Sequence, residues 1–272
     1  MAGRRRARPS LPTRLLRVGT ALAFTSCAAL GVLVAVEEPA VEQVPPAPEA
    51  LSRLARASDP GAASRNRARA DSAASALAPG ARGDAVVALQ RRLRARGFQV
   101  ATATGVYDDE TLHSVTALQK LHGLAPDGVA GPAVLDLLAG AAPVRAWDAS
   151  AGFHVEVDLS RQVALLVRGG TVERVYDVST GSGKRIKAPS GRVFRATTPT
   201  GRFRINRKID GVRHAELGDM YRPSYLGSGG IAFHGGQPVV PYPDSHGCIR
   251  MTDRSIDEIY PLLRVGTEVL IH

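Results

Sequence analysis

The sequence predicts a multidomain α+β chain in which a small domain of three helices precedes a mostly β, sandwich-like domain. Two observations support this prediction. Apolar residues recur at helical spacing in residues 81–140, whereas from residue 150 onward short alternating stretches are separated by turn residues. A length of 272 residues is sufficient for two small domains with additional tails.

Residues 1–36 combine a cluster of arginines with an uncharged run from Val18 to Val36. Positive charge before an apolar run is typical of an export signal, and about 20 residues also suffice for a membrane-spanning helix. We therefore expect an export signal or membrane anchor here, with the rest of the chain extracytoplasmic. The sequence leaves open whether the run is cleaved. Residues 37–80 are rich in Pro, Ala and Arg and are expected to be a disordered linker.

The charge and the cysteines limit the possible functions. The formal net charge is +10, which favours anionic partners such as a cell wall or a membrane surface. Basic residues interleaved with aromatics and known DNA-binding spacings are missing from the sequence, so nucleic acid is not an expected partner. Cys27 lies in the N-terminal run, so Cys248 has no partner in the folded part and is expected to have a chemical role. Cys and His show no zinc spacing, and we expect no metal.

Three helices are predicted in residues 81–140. In the first, Leu89 and Leu93 fall at helical spacing, with Asp84 as the expected N-cap. The second is predicted over residues 109–122 and the third over residues 132–138, where Pro132 suits a first turn.

This segment resembles the three-helix peptidoglycan-binding module. The resemblance is carried by Val86, Leu89, Gln90, Leu93, Gly97, Phe98, Gly105, Tyr107, Thr111, Leu118, Gln119, Gly123, Leu124 and residues 127–132. It implies binding of cell-wall glycopeptide. The alternative is that the segment is a spacer that binds nothing.

The pattern of residues 150–272 predicts short strands and one helix. Phe153, Val155 and Val157 alternate with polar residues, and a Gly-Gly pair at 169–170 is typical of a hairpin. Further strands are predicted around residues 201–205, 231–233 and 268–271. The helix has Ile256, Ile259, Tyr260 and Leu263 on one face and Thr252 or Asp253 as its cap.

The candidate catalytic residues form two clusters, at residues 233–236 and 245–251. A thiolate nucleophile such as Cys248 needs a base, donors for an oxyanion and room for a carbonyl. His234 ends a predicted strand, so its ring is aimed from a rigid element. Gly235, Gly236 and Gly247 leave space for an approaching substrate, and the N–H groups of Gly247 and Cys248 are candidates for an oxyanion hole. The Arg250 guanidinium suits a carboxylate.

At these residues the chain resembles the L,D-transpeptidase catalytic domain family. The matching stretches are residues 178–181, 198–203, 233–236, 245–251 and 266–271. The resemblance implies a mostly β, sandwich-like domain over residues 150–272, needing no cofactor, that acts on peptidoglycan stem peptides.

The resemblance also implies roles for individual residues. Cys248 would attack the bond between the third and fourth residues of a stem tetrapeptide, releasing D-Ala. His234 would be the base, oriented by the Gly235 carbonyl. Gly247 would supply the oxyanion hole with Cys248. The expected supporting residue is His246, and the expected substrate-binding residues are Ser245, Gly236 and Arg250. A second stem's amine would then complete a 3→3 cross-link.

Three alternatives remain at this point. Water instead of an amine would make the protein an L,D-carboxypeptidase, and the outcome depends on acceptor access. A non-catalytic wall-binding protein would not require the cysteine and histidine clusters. A general cysteine protease would not explain the helical module. The sequence does not indicate an oligomeric state.

Overall fold

The computed structural model describes residues 76–140 and 142–272. The expected export signal or anchor at residues 1–36, and all of the expected linker except its last residues, lie outside this part of the chain. Among the helices of the described residues, none is long and apolar enough to cross a membrane.

The helical module contains three helices in the described residues, as predicted. They are α1 (Asp84–Ala95), α2 (Asp109–Leu121) and α3 (Pro132–Gly140). Their apolar faces meet in one core, in which Leu89 and Leu118 are buried. The helical spacing of the apolar residues therefore identified the elements correctly.

The predicted N-cap of the first helix is wrong. Asp84 is the first residue of α1, and its N-cap is Gly83, which makes no side-chain capping bond. By contrast, the Asp108 carboxylate caps α2 by accepting a 2.9 Å hydrogen bond from the Thr111 backbone N–H. Both helices begin with acidic residues, and only the backbone geometry decides which carboxylate reaches the first turn.

The last residues of the expected linker belong to the module. Leu77 exchanges two backbone hydrogen bonds with Ala130, of 3.1 and 2.8 Å, and packs against the module's core. The Gly80 N–H donates to the Tyr107 carbonyl at 2.9 Å. The linker was extended too far because one apolar residue among small and polar ones gives no periodic signal.

The rest of the chain forms strands and one helix. In chain order they are β1 (Phe153–Asp158), β2 (Val163–Arg168), β3 (Thr171–Asp177), β4 (Arg185–Lys187), β5 (Val193–Arg195), β6 (Gly201–Lys208), β7 (Val212–Ala215), β8 (Gly218–Leu226), β9 (Ile231–Gly235), β10 (Ile249–Arg250), α4 (Asp253–Ile259) and β11 (Glu268–Ile271). The helix cap is Thr252, one of the two expected candidates, whose hydroxyl accepts from the Ser255 N–H.

In the described residues, one sheet has the strand order β10-β9-β8-β6-β11-β1-β2-β3, with β7 paired to β8, while β4 and β5 form a separate hairpin. β1 pairs with β11, and β9 with β10, in parallel; the other pairs are antiparallel. Residues from both ends of the sheet, such as Tyr176 of β3 and Ile249 of β10, share one core with α4. This confirms the sandwich-like fold.

The two ends of the sheet are connected near the second sequence cluster. Residues 179–182, here called the brace, follow β3 and lie beside residues 245–250, here called the cysteine loop. Ser179 and Arg250 exchange backbone hydrogen bonds of 3.1 and 2.9 Å, and the Ser245 N–H donates to the brace at 2.8 Å. The position of the cysteine loop therefore depends on the end of β3.

The alternation in β1 does not separate a buried face from an exposed one. His154, Glu156 and Asp158 are as buried as the valines between them. The helical module packs on this sheet, and apolar residues of β2 and β3 such as Leu165 and Val175 belong to the module's core. The Glu156 carboxylate is satisfied by backbone N–H groups before β1, one of them from Trp147 at 2.8 Å.

Replacing the α2 cap should cost more stability than replacing the wrongly predicted cap of α1. We expect Asp108→Ala to lower the free energy of unfolding by about 1–2 kcal/mol, because a capping bond is lost. Asp84→Ala should cost about 0.5 kcal/mol or less, through the helix dipole alone. Urea unfolding of both variants measures the two changes in the free energy of unfolding. An equal or larger effect for Asp84→Ala would contradict this assignment of the caps.

Candidate active site

Parallel pairing of β9 with β10 places the two sequence clusters side by side. In the register of this pair, His234 lies opposite Arg250. Side chains of paired residues point to the same face of a sheet, and so do those of residues two apart along an extended chain. Cys248 lies in the bend just before β10, close to this register, and it lines the same cavity as His234.

These side chains line a cavity of about 480 Å³, together with Ser245 and His246. The two hairpins β4–β5 and β7–β8 form its walls, and the Ser190 N–H on the first donates to the Glu216 carboxylate on the second at 2.6 Å. Of the expected site residues, the glycines at 235, 236 and 247 do not line the cavity, and the structure gives each of them a backbone role instead.

The His234 ring is held in one tautomer. Its Nδ1 lies 2.7 Å from the Gly235 carbonyl oxygen, which is only an acceptor, so Nδ1 carries the proton and Nε2 is left with its lone pair. Only 4% of His234 is exposed. Burial lowers the pKa of His234, the Gly235 bond opposes this shift, and the positive charge of Arg250 adds to it. The imidazole is therefore neutral at neutral pH and able to accept a proton.

The Cys248 thiol is half-buried in the wall of the cavity, with Sγ 3.8 Å from the Gly230 carbonyl oxygen. Burial raises the pKa of Cys248, while a hydrogen bond from the Ala232 backbone and the charge of Arg250 act in the opposite direction. The resting cysteine is thus a thiol. A base is needed to form the nucleophilic thiolate, and the neutral His234 is suited to that task.

Arg250 supplies the positive charge that both groups experience. Its guanidinium is 3.6 Å from the Asp244 carboxylate, and the residue is only 8% exposed. Its charge also lowers the pKa of the half-buried His246, although burial is the larger cause there. Arg250 favours the charged thiolate and disfavours a charged imidazole.

Ser245 is part of the cysteine loop's internal framework. Its Oγ donates to the Cys248 carbonyl at 2.6 Å and accepts from the Gly247 N–H at 3.0 Å, and the residue is 1% exposed. Ser245 lines the cavity, so its expected contact with substrate stays a prediction, but its hydroxyl is engaged within the loop. The Gly247 N–H, expected in the oxyanion hole, is directed to Ser245 in this structure.

Gly247 is required by its conformation and its surroundings. Its φ of +133° is strained for any residue with a side chain. A Cβ there would lie 2.9 Å from the Ile231 Cδ1 and 3.1 Å from the Thr197 carbonyl oxygen. The same loop is fastened by Thr198, whose Oγ1 donates to the Gly247 carbonyl at 2.7 Å and accepts from the Gly181 N–H at 2.9 Å.

Thr198 and Asp253 are site residues that the sequence reasoning missed. The Asp253 carboxylate accepts from the Gly236 N–H at 2.6 Å, and a Cβ on Gly235 would collide with it. Thr198 was noted only within a matching stretch, and Asp253 only as a possible cap. Their partners are 49 and 17 residues away along the chain, so local patterns do not reveal the contacts.

Two family models and several solved structures are similar to this chain. A family model described as the L,D-transpeptidase catalytic domain (YkuD) matches residues 152–271, and a peptidoglycan-binding domain model matches residues 82–138. The crystal structure of an L,D-transpeptidase from Xylanimonas cellulosilytica is 38% identical, with a TM-score of 0.69. That match covers 72% of this chain and 97% of the other. An L,D-transpeptidase from Stackebrandtia nassauensis is 22% identical with a TM-score of 0.42, covering 72% and 94%.

Two curated relatives match only a short segment. The N-acetylmuramoyl-L-alanine amidase CwlL of Bacillus licheniformis is 49% identical over 65 residues, which are 23% of this chain and 18% of that protein. A second amidase of the same organism is 43% identical over 67 residues, 19% of its length. The chain thus spans less than a fifth of the curated relatives it matches. The Xylanimonas match extends over nearly that whole chain, and this protein belongs to the L,D-transpeptidase family.

Removing the charge of Arg250 should change the titration of both neighbours. In Arg250→Gln the pKa of Cys248 should rise further, because the thiolate loses a cation, and the pKa of His234 should rise, because its protonated form is no longer repelled. Alkylation of Cys248 by iodoacetamide, followed by peptide mass spectrometry, should then be severalfold slower at neutral pH, with the profile moved to higher pH.

The matched control is Arg195→Gln, which removes an exposed arginine of the same cavity. It should leave the alkylation profile unchanged. A profile for Arg250→Gln that stays in place, or moves to lower pH, would contradict the electrostatic role of Arg250.

Thr198→Val should destabilise the protein by about 2 kcal/mol, because it leaves a buried carbonyl and a backbone N–H without partners. Val has nearly the same shape as Thr, so the packing changes little. Thr200→Val, two residues further on at an exposed position, is the control and should be nearly neutral. Urea unfolding measures both, and similar small effects would show that Thr198 does not fasten the loop.

Proposed function

We propose that the protein is a peptidoglycan L,D-transpeptidase in which Cys248 forms a thioester with a stem tetrapeptide. The observation that carries the proposal is the arrangement of β9 and β10. A neutral imidazole, with its Nε2 lone pair available, lines the same cavity as a protonated thiol and a buried arginine. Membership of the L,D-transpeptidase family supports the choice of reaction.

In the first half-reaction the His234 Nε2 takes the proton of Cys248, and the thiolate attacks the carbonyl between the third and fourth stem residues. The C–N bond of the tetrahedral intermediate then breaks. The leaving D-Ala amine receives the proton from His234, and the tripeptide remains as a thioester on Cys248. Arg250 favours the thiolate at the start of this step.

In the second half-reaction the side-chain amine of another stem's diamino acid attacks the thioester. His234 takes a proton from that amine, the C–S bond breaks, and the proton returns to the departing Cys248 thiolate. The product is a 3→3 cross-link. Water in place of the amine would give the L,D-carboxypeptidase product, a free tripeptide.

The oxyanion of both intermediates requires hydrogen-bond donors. The proposed donors are the backbone N–H groups of Gly247 and Cys248. The first is bonded to the Ser245 hydroxyl in this structure, so it would exchange that partner for the oxyanion. Arg250 and the half-buried His246 are proposed to hold carboxylates of the donor stem, since both line the cavity.

The helical module is proposed to bind cell-wall glycan and so bring the catalytic domain to its substrate. The peptidoglycan-binding model that matches residues 82–138 supports this proposal. We further propose that the protein acts outside the cytoplasm at the cell wall, exported or anchored through residues 1–36 and tethered by the segment before residue 76. The catalytic domain is proposed to span residues 150–272.

Replacing the two reactive groups should separate their roles. With a disaccharide tetrapeptide as substrate, Cys248→Ala should form no acyl-enzyme and release no D-Ala. His234→Gln should lower kcat by about 100- to 10,000-fold, as expected for loss of a general base. His272→Gln, which does not line the cavity, is the matched histidine control and should keep full activity.

Intact-protein mass spectrometry detects the acyl-enzyme, and product analysis identifies the reaction. D-Ala release with a 3→3 dimer supports the transpeptidase. Tripeptide without dimer would replace it by the carboxypeptidase. Product formation that does not depend on Cys248, or no product at all, would leave a wall-binding protein and overturn the catalytic proposal.

A further inference from the structure

A buried ion pair joins the helical module to the catalytic domain. The Nζ of Lys120, on α2, lies 2.5 Å from Oδ1 of Asp177 at the end of β3, and their side chains are only 3% and 1% exposed. The other two ammonium donors are also engaged, by the carbonyl oxygens of Gln162 at 3.2 Å and Val178 at 3.0 Å. The second Asp177 oxygen contacts the His113 ring at 2.8 Å.

Stability alone does not explain this pair. Burial lowers the pKa of Lys120, and Asp177 only partly opposes that shift, which shows how costly it is to keep the ammonium charged there. Apolar residues of similar size often serve as well in such positions. In some proteins a buried pair instead fixes the register between the elements that carry it. Here those elements are α2 and the end of β3.

The contacts continue from Lys120 through Gln162. This residue has φ of +56°, a strained backbone conformation for a side chain other than glycine. Its carbonyl faces the Lys120 ammonium, while its side-chain amide binds Thr180 twice. The Thr180 N–H donates to Oε1 at 2.8 Å, and Nε2 donates to the Thr180 hydroxyl at 2.7 Å. Gln162 therefore connects the module's lysine to the brace.

The brace in turn holds the cysteine loop. Ser179 is paired to Arg250 by two backbone hydrogen bonds, and the Thr180 carbonyl accepts from the Ser245 N–H at 2.8 Å. The Ser182 N–H donates to the Ser245 carbonyl at 2.9 Å. Lys120 thus reaches both the start of the brace, through Asp177 and Val178, and its centre, through Gln162.

We propose that Lys120 of the helical module is a positioning residue for Cys248, acting through the brace. Part of the module that is expected to bind the wall is then also part of the framework of the active site. The kinetic consequence rests on the proposed function, but the structural link does not. Without Lys120 the brace loses its outer support, and the cysteine loop should become mobile relative to β9.

The test uses the full chain with Lys120→Met, which removes the charge and keeps most of the stem. Backbone hydrogen exchange, followed by mass spectrometry, should be about tenfold or more faster in residues 245–250, which corresponds to a local loss of about 1.4 kcal/mol. Exchange in the central strands β1 and β11 should change much less. For D-Ala release, kcat should fall about tenfold while KM stays within about twofold, because misplacement of reacting groups affects the chemical step.

The matched control is Glu110→Met, which removes the acceptor of another contact between α2 and the β domain, the 3.0 Å bond from Arg254, that does not touch the brace. It should leave exchange in residues 245–250 unchanged. If Lys120→Met does not fold, Gln162→Met takes its place, because it keeps the ion pair and removes the connection to Thr180, together with a local bond to the Leu159 carbonyl. The same local increase in exchange is expected.

Unchanged exchange in residues 245–250 of a folded variant would overturn the proposal. An equal increase in β1 and β11 would also overturn it, since Lys120 would then act only on global stability. If wild-type protein releases no D-Ala, the proposed function fails, and the exchange data still decide whether Lys120 positions the cysteine loop.

Discussion

The parallel pairing of β9 with β10 is the constraint on which the rest of the site depends. A strand pair of only two residues on one side is weak by itself. It is extended by the Met251 N–H, which donates to the His234 carbonyl at 3.0 Å, and the other edge of β10 is held by the brace. Small displacements of β10 would separate the thiol from the imidazole, which explains why so many buried hydrogen bonds converge on residues 245–250.

Burial acts on the two reactive groups in opposite directions, and both effects favour the uncharged pair. It raises the pKa of the cysteine and lowers that of the histidine, so a resting thiolate–imidazolium pair is disfavoured. Arg250 offsets this for the sulfur without charging the ring. The arrangement protects the cysteine from oxidation at rest, because the thiol is much less reactive than the thiolate.

The sequence predicted what is local and periodic. The three helices, the Gly169-Gly170 hairpin, the closing strand and the Cys248 and His234 clusters all follow from spacing, turn residues and residue chemistry. It did not predict the cap of α1, because Gly83 and Asp84 are equally plausible starts. It also could not identify Thr198, Asp253 or Lys120 as supports of the site, because their partners are distant along the chain.

The burial of both faces of β1 could not be predicted for the same reason. Alternation of apolar and polar residues predicts a strand with one solvent-exposed face, but in β1 that face is covered by a different part of the chain. Polar residues on that face, such as Glu156, are therefore paired with backbone groups of neighbouring segments. The pattern in one segment cannot indicate which distant segment will cover it.

This covering layer also bears on how the two domains evolve. Val163, Leu165, Val167 and Val175 of the sheet are buried against the module's apolar residues. A catalytic domain produced without the helical module would expose this apolar surface to water and would tend to aggregate. A gene rearrangement that exchanged this module for another would have to supply a matching apolar face and a cation in the place of Lys120. The two domains match two families, yet in this chain they share one core.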